Sequence, residues 1–197
     1  MVYKGICMKI TYRAFSCVVF FLLYFSTNVV IAEETGIRRY PLPDHGSIQL
    51  KVPTFWADDL RQPPHQLPPT VSFKPKSGNR FEILMTPIWP ASKDISLPNS
   101  EKIKQLVQQA AEHAQSQSVE KTLQLRELKG SSGGGYYFSA TDRAPEPDGY
   151  KYMTQGTIRV GDLMVMFTLL TNDGQEMVIN NALSMLKSAI HIKGDAL

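Results

Sequence analysis

Several stretches of the chain alternate apolar and polar residues with a period of two, which predicts half-buried strands. One strand is predicted over 47–52, and two runs within 70–87 predict a hairpin whose turn is 77–79. The pair Gly161-Asp162, between two β-rich runs, predicts a second hairpin. The run 163–167 is apolar at every position, so we expect a central strand that is covered on both faces.

Two other stretches repeat their apolar residues with a helical period. The first predicted helix begins at Asn99 or Ser100, since either side chain can cap its N-terminus. The second begins after Asp173, with Glu176 three residues later as in a capping box. The apolar stripe of the first helix consists of Ile103, Leu106, Val107, Ala110, Ala111 and Ala114, and that of the second of Ile179, Ala182, Leu183, Leu186 and Ile190.

The order of these elements indicates the fold class. Further strands are predicted over about 121–129, 136–140 and 150–160, so the chain contains three strands, a helix, four strands and a helix. Because the strands follow one another in hairpins, we expect an α+β fold. It consists of a mainly antiparallel β-sheet of about six to seven strands sandwiched by helices.

Two segments rich in polar residues or proline are predicted to lie outside this sheet. Residues 33–46 are polar and contain two prolines, so we expect a disordered lead-in. Residues 53–69 contain five prolines, which favours an irregular surface segment. A single domain is therefore expected over 47–193, with a short tail at 194–197.

The N-terminal residues 1–32 have the pattern of a secretory signal peptide. Basic residues precede an apolar run at 18–25, and Ala32 stands where a signal peptidase cleaves. Polar residues soon interrupt the apolar run, which makes it short for a membrane span. We expect cleavage after residue 32, with Met1 or Met8 as the start, and a periplasmic or secreted protein without a stable membrane span. An uncleaved anchor is the alternative.

Cleavage would change both the charge and the cysteine content. The full chain has a formal net charge of +3, from 21 Lys and Arg and 18 Asp and Glu. Loss of Lys4, Lys9 and Arg13 would leave the mature chain neutral, which argues against binding to nucleic acid. Cys7 and Cys17, the two cysteines, would be lost as well, so no disulfide, thiol nucleophile or cysteine metal site is expected.

The glycine-rich stretch 130–135 is compatible with a phosphate cradle or with a bend between strands. A phosphate cradle requires a helix directly after the glycines, whereas the aromatic run 136–138 resumes a strand pattern. We therefore interpret the glycines as a bend. Ser131 and Ser132 lack the G-x-S-x-G context of a nucleophilic serine. No catalytic residue is predicted.

Histidine and acidic residues predict no metal or cofactor site. The four histidines include no H-x-x-x-H pair, and His113 in the first predicted helix is interpreted as solvated. Acidic residues within 142–148 lack the spacing of an EF-hand, so a solvated turn is favoured, and calcium binding there stays open.

Three aromatic residues in proline-flanked segments are candidates for partner contact: Phe55, Trp56 and Trp89. Surface loops commonly carry binding residues, which favours contact. Core packing is the alternative for each of them, because large aromatic side chains dominate protein cores. The partner that we expect is an unidentified envelope protein.

Scattered segments of the predicted domain resemble a known family. The segments 134–137, 141–143, 156–165 and 186–190 resemble the C-terminal half of PsbP-like proteins, and 52–56 also looks like theirs. This family includes the extrinsic PsbP subunit of photosystem II and the bacterial envelope protein DcrB. The resemblance implies a central antiparallel sheet between helices and an accessory or binding role in larger assemblies. It carries no binding site over to this chain.

The sequence thus predicts a non-enzymatic, exported accessory or binding protein of the bacterial cell envelope, acting through protein or small-ligand contacts. The alternative is an exported hydrolase with an unrecognised active site. That alternative requires a serine, a histidine and an acid within hydrogen-bond reach in a pocket. A membrane-tethered interaction domain is a third hypothesis, which requires that the signal be retained.

Overall fold

The computed structural model describes residues 34–64, 67–92 and 95–194. The predicted signal at 1–32 and most of the predicted tail lie outside the described residues. Within the described part the chain forms ten strands and two helices. They are β1 (Thr35–Pro41), β2 (Ser47–Pro53), β3 (Trp56–Arg61), β4 (Thr70–Pro75), β5 (Glu82–Ile88), α1 (Ser100–Gln115), β6 (Arg126–Gly130), β7 (Gly133–Thr141), β8 (Tyr152–Val160), β9 (Leu163–Thr171), α2 (Glu176–Lys187) and β10 (Ile190–Ile192).

Seven strands form one sheet in the order β3-β4-β5-β9-β8-β7-β6, and each neighbouring pair is antiparallel. A second sheet is three-stranded, in the order β1-β2-β10, and is also antiparallel. The structure is therefore a sheet-rich α+β fold, and the prediction of a mainly antiparallel sheet is confirmed. The sequence pattern does not predict the second sheet.

The hydrophobic core lies on both faces of the seven-stranded sheet. The larger cluster occupies one face, where side chains of β2 and α2 pack on those of β4, β5, β8 and β9. The smaller cluster occupies the other face, where α1 packs on β7. Its α1 residues are Ile103, Val107 and Ala111, as the helical stripe predicts, and Asn99 caps the helix by accepting a hydrogen bond from the amide of Lys102 at 2.9 Å.

The predicted lead-in at 33–46 is wrong, because most of it forms β1 and its turn into β2. Every residue of Thr35–Pro41 pairs with β2. The side chains that point inward are Arg38 and Tyr40, and Tyr40 is buried at 5 % exposure. A basic and an amphipathic residue at these positions hide the apolar alternation by which a half-buried strand is normally recognised.

The predicted irregular segment at 53–69 is also wrong in part, because Trp56–Arg61 forms β3 and pairs with β4. The five prolines flank this strand and none lies inside it. Since proline disrupts a strand only where its missing N–H is needed, the number of prolines is a poor guide here.

The run 163–167 is confirmed as central, because β9 is the fourth of the seven strands. Its predicted coverage on both faces is wrong. Met166 is 43 % exposed, since α1 covers β7 and part of β8 and leaves the face of β9 and β5 beyond them open. We call this region the open strip; it consists of Leu84, Thr86, Met166 and Thr168.

The second helix begins and ends differently from the prediction. It starts at Glu176, and Asp173 accepts hydrogen bonds from Lys151 and Tyr152 instead of capping the helix. Ile190 lies beyond the helix, in β10, where it pairs with β2. The helix ends at Lys187, but the helical spacing of its apolar residues continues into the short strand that follows. The period alone therefore does not show where the helix ends.

The glycine-rich stretch joins two antiparallel strands, which confirms the predicted bend. Ser131 binds the C-terminal end of α2 through its amide and its hydroxyl, both of which donate to the carbonyl of Lys187, at 2.8 and 2.9 Å. Gly135 allows β8 to approach, because a Cβ at this position would overlap the carbonyl oxygen of Thr157. The glycines therefore serve the packing of strands.

Candidate functional site

A cleft of about 770 Å³ lies where four separate segments of the chain meet. They are the loop between β1 and β2, the segment that follows β5, the turn between β8 and β9, and the end of β10. Small-ligand sites in proteins have volumes of roughly 300–1,000 Å³ and are concave. This cleft is therefore our candidate functional site.

The loop between β1 and β2 is shaped by two residues in the left-handed region. Asp44 has φ of 58° and Gly46 has φ of 73°. The amide of Leu42 donates to the carbonyl of Gly46 at 2.8 Å, which closes the loop. A Cβ at Gly46 would overlap the carbonyl oxygen of Ile192, so glycine is required for β10 to lie against this loop. The loop and β10 thus form one continuous wall of the cleft.

The histidine of this loop is held by both neighbouring segments. The ring of His45 lies on the ring of Trp89, with 4.4 Å between the centroids and 32° between the planes. The backbone carbonyl of His45 accepts a hydrogen bond of 2.9 Å from Nε2 of His191. Trp89 is half-buried and also packs on the larger core cluster. The aromatic side of the cleft is therefore attached to the core, which limits its freedom to move.

The cleft also has charged lining residues at Arg159, Asp162 and Lys193. Nε of Arg159 donates to the carbonyl of Gly161 at 3.1 Å, and Nζ of Lys193 lies 2.6 Å from Oδ2 of Asp162. The hydrogen bond from Lys193 holds the pKa of Asp162 below its ordinary value. Burial acts in the opposite direction, and the basic side chains of Arg159 and His191 add to the lowering. The environment of this carboxylate is therefore cationic.

The imidazole of His191 is not placed to act as a base. Its Nε2 is engaged with the carbonyl of His45, and its Nδ1 is buried without a hydrogen-bond partner in the described residues. A general base must reach the proton that it removes within hydrogen-bond distance. His191 therefore supports the wall of the cleft and leaves no ring nitrogen available to a ligand in this conformation.

Two serines, Ser92 and Ser96, line the same cleft as the two histidines. Across residues 34–64, 67–92 and 95–194, no hydrogen bond joins a serine hydroxyl to an imidazole nitrogen. A serine without an adjacent base is a weak nucleophile. The cleft thus collects the residue types of a hydrolase without the hydrogen bonds that would activate them.

The three predicted contact residues are in different places. Trp89 lies in the cleft, and Phe55 is 43 % exposed at the start of the edge strand β3. The prediction of Trp56 as a contact residue is wrong, because the side chain is fully buried between Phe73 and Phe81. The centroid of its ring lies 6.4 Å from that of Phe73 and 5.1 Å from that of Phe81. Its position at the first residue of a paired strand directs the indole into the core.

The predicted acidic turn makes local hydrogen bonds. Oδ1 of Asp142 accepts from the amide of Ala144 at 2.9 Å, and the amide of Gly149 donates to the carbonyl of Glu146 at 2.8 Å. No group of three or more His, Cys, Asp or Glu side chains in the described part of the chain is arranged to hold a metal ion.

Sequence reasoning missed most of the cleft, including Arg159, His191 and Lys193. The available signals were the predicted turn at Gly161-Asp162 and the turn residues before β2. These signals locate two of the four segments. They do not show that the segments meet, because the hydrogen bond between His45 and His191 joins residues 146 positions apart.

Comparison of the chain with protein-family models, with curated proteins and with solved structures found no match. Among the residues described, neither helix has the length and apolar character needed to cross a membrane.

Proposed function

We propose that this protein is an exported, non-enzymatic binding protein of a bacterial envelope and that the cleft is its binding site. The observation that carries the proposal is the convergence of four segments on one concave site with aromatic and charged lining residues. Pockets that bind small ligands combine apolar surface with a few fixed polar groups. The cleft has both, and hydrogen bonds, an ion pair or ring contacts hold Trp89, His191, Arg159 and Asp162 in it.

Export and an accessory role are supported by the sequence. The basic start, the apolar run and the cleavage pattern of residues 1–32 support secretion. The resemblance to PsbP-like proteins supports a role in a larger assembly, through a protein or a small ligand. Trp89 supports contact at the cleft, since it is the one predicted contact residue that lines it.

The proposal is tested by purifying the protein, with gentle cross-linking, from the envelope of its native cell. The intact mass of the bait and any bound molecule are recorded by mass spectrometry. We expect a mass that begins at Glu33 and a bound small molecule or protein. We expect the Trp89→Ala variant to lose this bound partner. The matched control Phe55→Ala, which changes an exposed aromatic residue outside the cleft, should retain it.

A mass that retains residues 1–32 would contradict the exported, soluble form. Equal recovery with the wild type and Trp89→Ala would contradict the cleft as the binding site.

A second candidate, an exported hydrolase, is favoured by one observation: Ser92, Ser96, His45 and Asp162 line one cleft. The test is release of nitrophenol from short-chain nitrophenyl esters by the full chain. The binding proposal predicts no turnover above that of the His45→Ala variant. Turnover that Ser92→Ala or Ser96→Ala abolishes would establish the hydrolase in its place.

A further inference from the structure

We propose that the cleft binds an amphipathic anion, with its oxyanion head on the Arg159 guanidinium and its apolar body against Trp89. This inference rests on the proposed function, because it names the ligand class of the same cleft. The chemistry concerned is a carboxylate or phosphate group on an apolar body of modest size.

The head is assigned from the state of the Arg159 side chain. Its Nε is fixed by the carbonyl of Gly161 at 3.1 Å, whereas its two terminal nitrogens have no hydrogen-bond partner among the described residues. The residue is exposed at the end of β8 and lines the cleft. An arginine with free terminal nitrogens presents a planar pair of donors that fits a carboxylate or a phosphate in a bidentate manner.

The Asp162 carboxylate interacts with the charge of Arg159 but forms no hydrogen bond with its guanidinium. Asp162 is engaged by Lys193 at 2.6 Å. Asp44, the other carboxylate that lines the cleft, lies on the loop between β1 and β2 and forms no ion pair with a described residue. Because an unpaired carboxylate repels an anion, the head is expected beside Arg159 and not beside Asp44. The lowered pKa of Asp162 is consistent with a cationic environment at that end.

The apolar body is assigned from the side chains that follow β5. Ile95 is 55 % exposed, and Trp89 and Leu97 are half-buried beside it in the lining of the cleft. Exposed apolar side chains that border charged groups in a concave site mark ligand-binding surface. An apolar chain lying on these residues would remove them from water while its head stays at Arg159.

The two sources of the oxyanion are separated by the choice of probes. Octanoate supplies a carboxylate and octyl phosphate a phosphate on the same chain, and octanol supplies the chain without charge. Each probe is titrated calorimetrically into the full chain below its micelle concentration. We expect both anions to bind at least about tenfold more tightly than octanol, and the tighter of the two identifies the head.

Variants test the assignment of the head. Arg159→Gln is expected to weaken binding of the anions about tenfold or more and to leave the affinity for octanol unchanged. The anion affinity of Arg159→Lys is expected to lie between those of the wild type and Arg159→Gln. Lys193→Gln frees the Asp162 carboxylate and is expected to weaken the anions severalfold without touching Arg159. The matched control is Arg126→Gln, an exposed arginine on the edge strand β6. Thermal unfolding of each variant shows that it is folded.

The outcomes separate the two proposals. Octanol binding as tightly as octanoate, or unchanged anion binding by both Arg159→Gln and Lys193→Gln, would overturn the anion assignment and leave the cleft as a neutral site. If Trp89→Ala leaves anion binding unchanged, the cleft is not the binding site, and the proposed function is wrong as well. Absence of anion binding up to the micelle limit would overturn the inference as well.

Discussion

Two segments of this protein look alike in sequence and differ completely in the structure. Each carries a tryptophan beside prolines, at Trp56 and at Trp89. The first segment forms the edge strand β3, and Trp56 is 0 % exposed. The second has no regular structure after β5, and Trp89 lines the cleft. The difference separates a residue of the core from a residue of the candidate site.

The positions of the prolines and polar contacts account for this difference. Seven residues free of proline begin at Trp56, which is enough for the six-residue strand that pairs with β4. Trp89 is followed at once by Pro90, which lacks the N–H that a continuing strand requires. Arg38 donates to the carbonyl of Trp56 at 2.9 Å, and Tyr40 donates to Asp58 at 2.8 Å. β3 is thereby joined to the second sheet.

The largest expected effect is on folding stability at the first tryptophan. Trp56→Ala should lower the free energy of unfolding by about 3–5 kcal/mol, because it leaves a cavity in the core. Trp89→Ala should lower it by less, about 1–2 kcal/mol, since that ring is only half-buried although it packs on the larger core cluster. Urea unfolding measures both. Trp56→Phe is the control, and it should cost less than Trp56→Ala because it also removes an indole N–H that has no partner among the described residues.

Equal losses from the two alanine variants would contradict the division into a core tryptophan and a cleft tryptophan.

The next effect concerns the loop that supports the cleft. Gly46→Ala should destabilise the protein by about 2–3 kcal/mol, because it combines a left-handed backbone with an overlap against β10. Gly78→Ala is the matched control, since Gly78 has φ of 93° and open space around it. Gly78→Ala should lower the free energy of unfolding by about 1 kcal/mol, which is the cost of alanine in a left-handed backbone conformation alone. Thermal unfolding measures the difference, and equal shifts would show that β10 does not lie against the loop.

A smaller effect is expected where the second sheet holds β3. Asp58→Ala should cost about 1–2 kcal/mol, because it removes the partner of the Tyr40 hydroxyl and of Arg38. Asp59→Ala is the control on the same strand, since its ion pair with Arg61 spans 3.6 Å between exposed side chains. That variant should change stability by less than about 0.5 kcal/mol. Chemical unfolding of the two variants measures both effects. Equal effects would contradict the contact between β3 and the second sheet.

The last comparison reads the two sites optically and requires only that each variant is folded. The chain has two tryptophans, so Trp56→Phe and Trp89→Phe each leave one fluorophore. Acrylamide should quench Trp89 readily in the first variant and Trp56 only weakly in the second, because Trp56 is fully buried. Similar quenching constants would contradict the placement of the two side chains.

The sequence predicted the elements whose signals are local. The stripe of α1 and the cap at Asn99 lie within one helix, and the turn at Gly161-Asp162 joins two adjacent strands. β1 escaped prediction because Arg38 and Tyr40 occupy its inward positions. β10 escaped because Ile190 continues the stripe of α2.

The candidate site was predicted only at Trp89. Its remaining parts depend on contacts between distant segments, such as the hydrogen bond from His191 to the carbonyl of His45. Patterns within one short window carry no information on such contacts. Trp56 shows the converse, since proline-rich surroundings suggested a surface and strand pairing with β4 buried the side chain.

The central claim is that the cleft is where this protein binds. The most direct test is a ¹H–¹⁵N NMR titration of the full chain with octanoate. We expect amide shifts to concentrate in the segments 44–46, 159–162 and 191–194, with the indole N–H of Trp89 among them. Shifts concentrated in the open strip around Met166, or around Phe55, with the cleft unchanged, would show that the cleft is not the binding site.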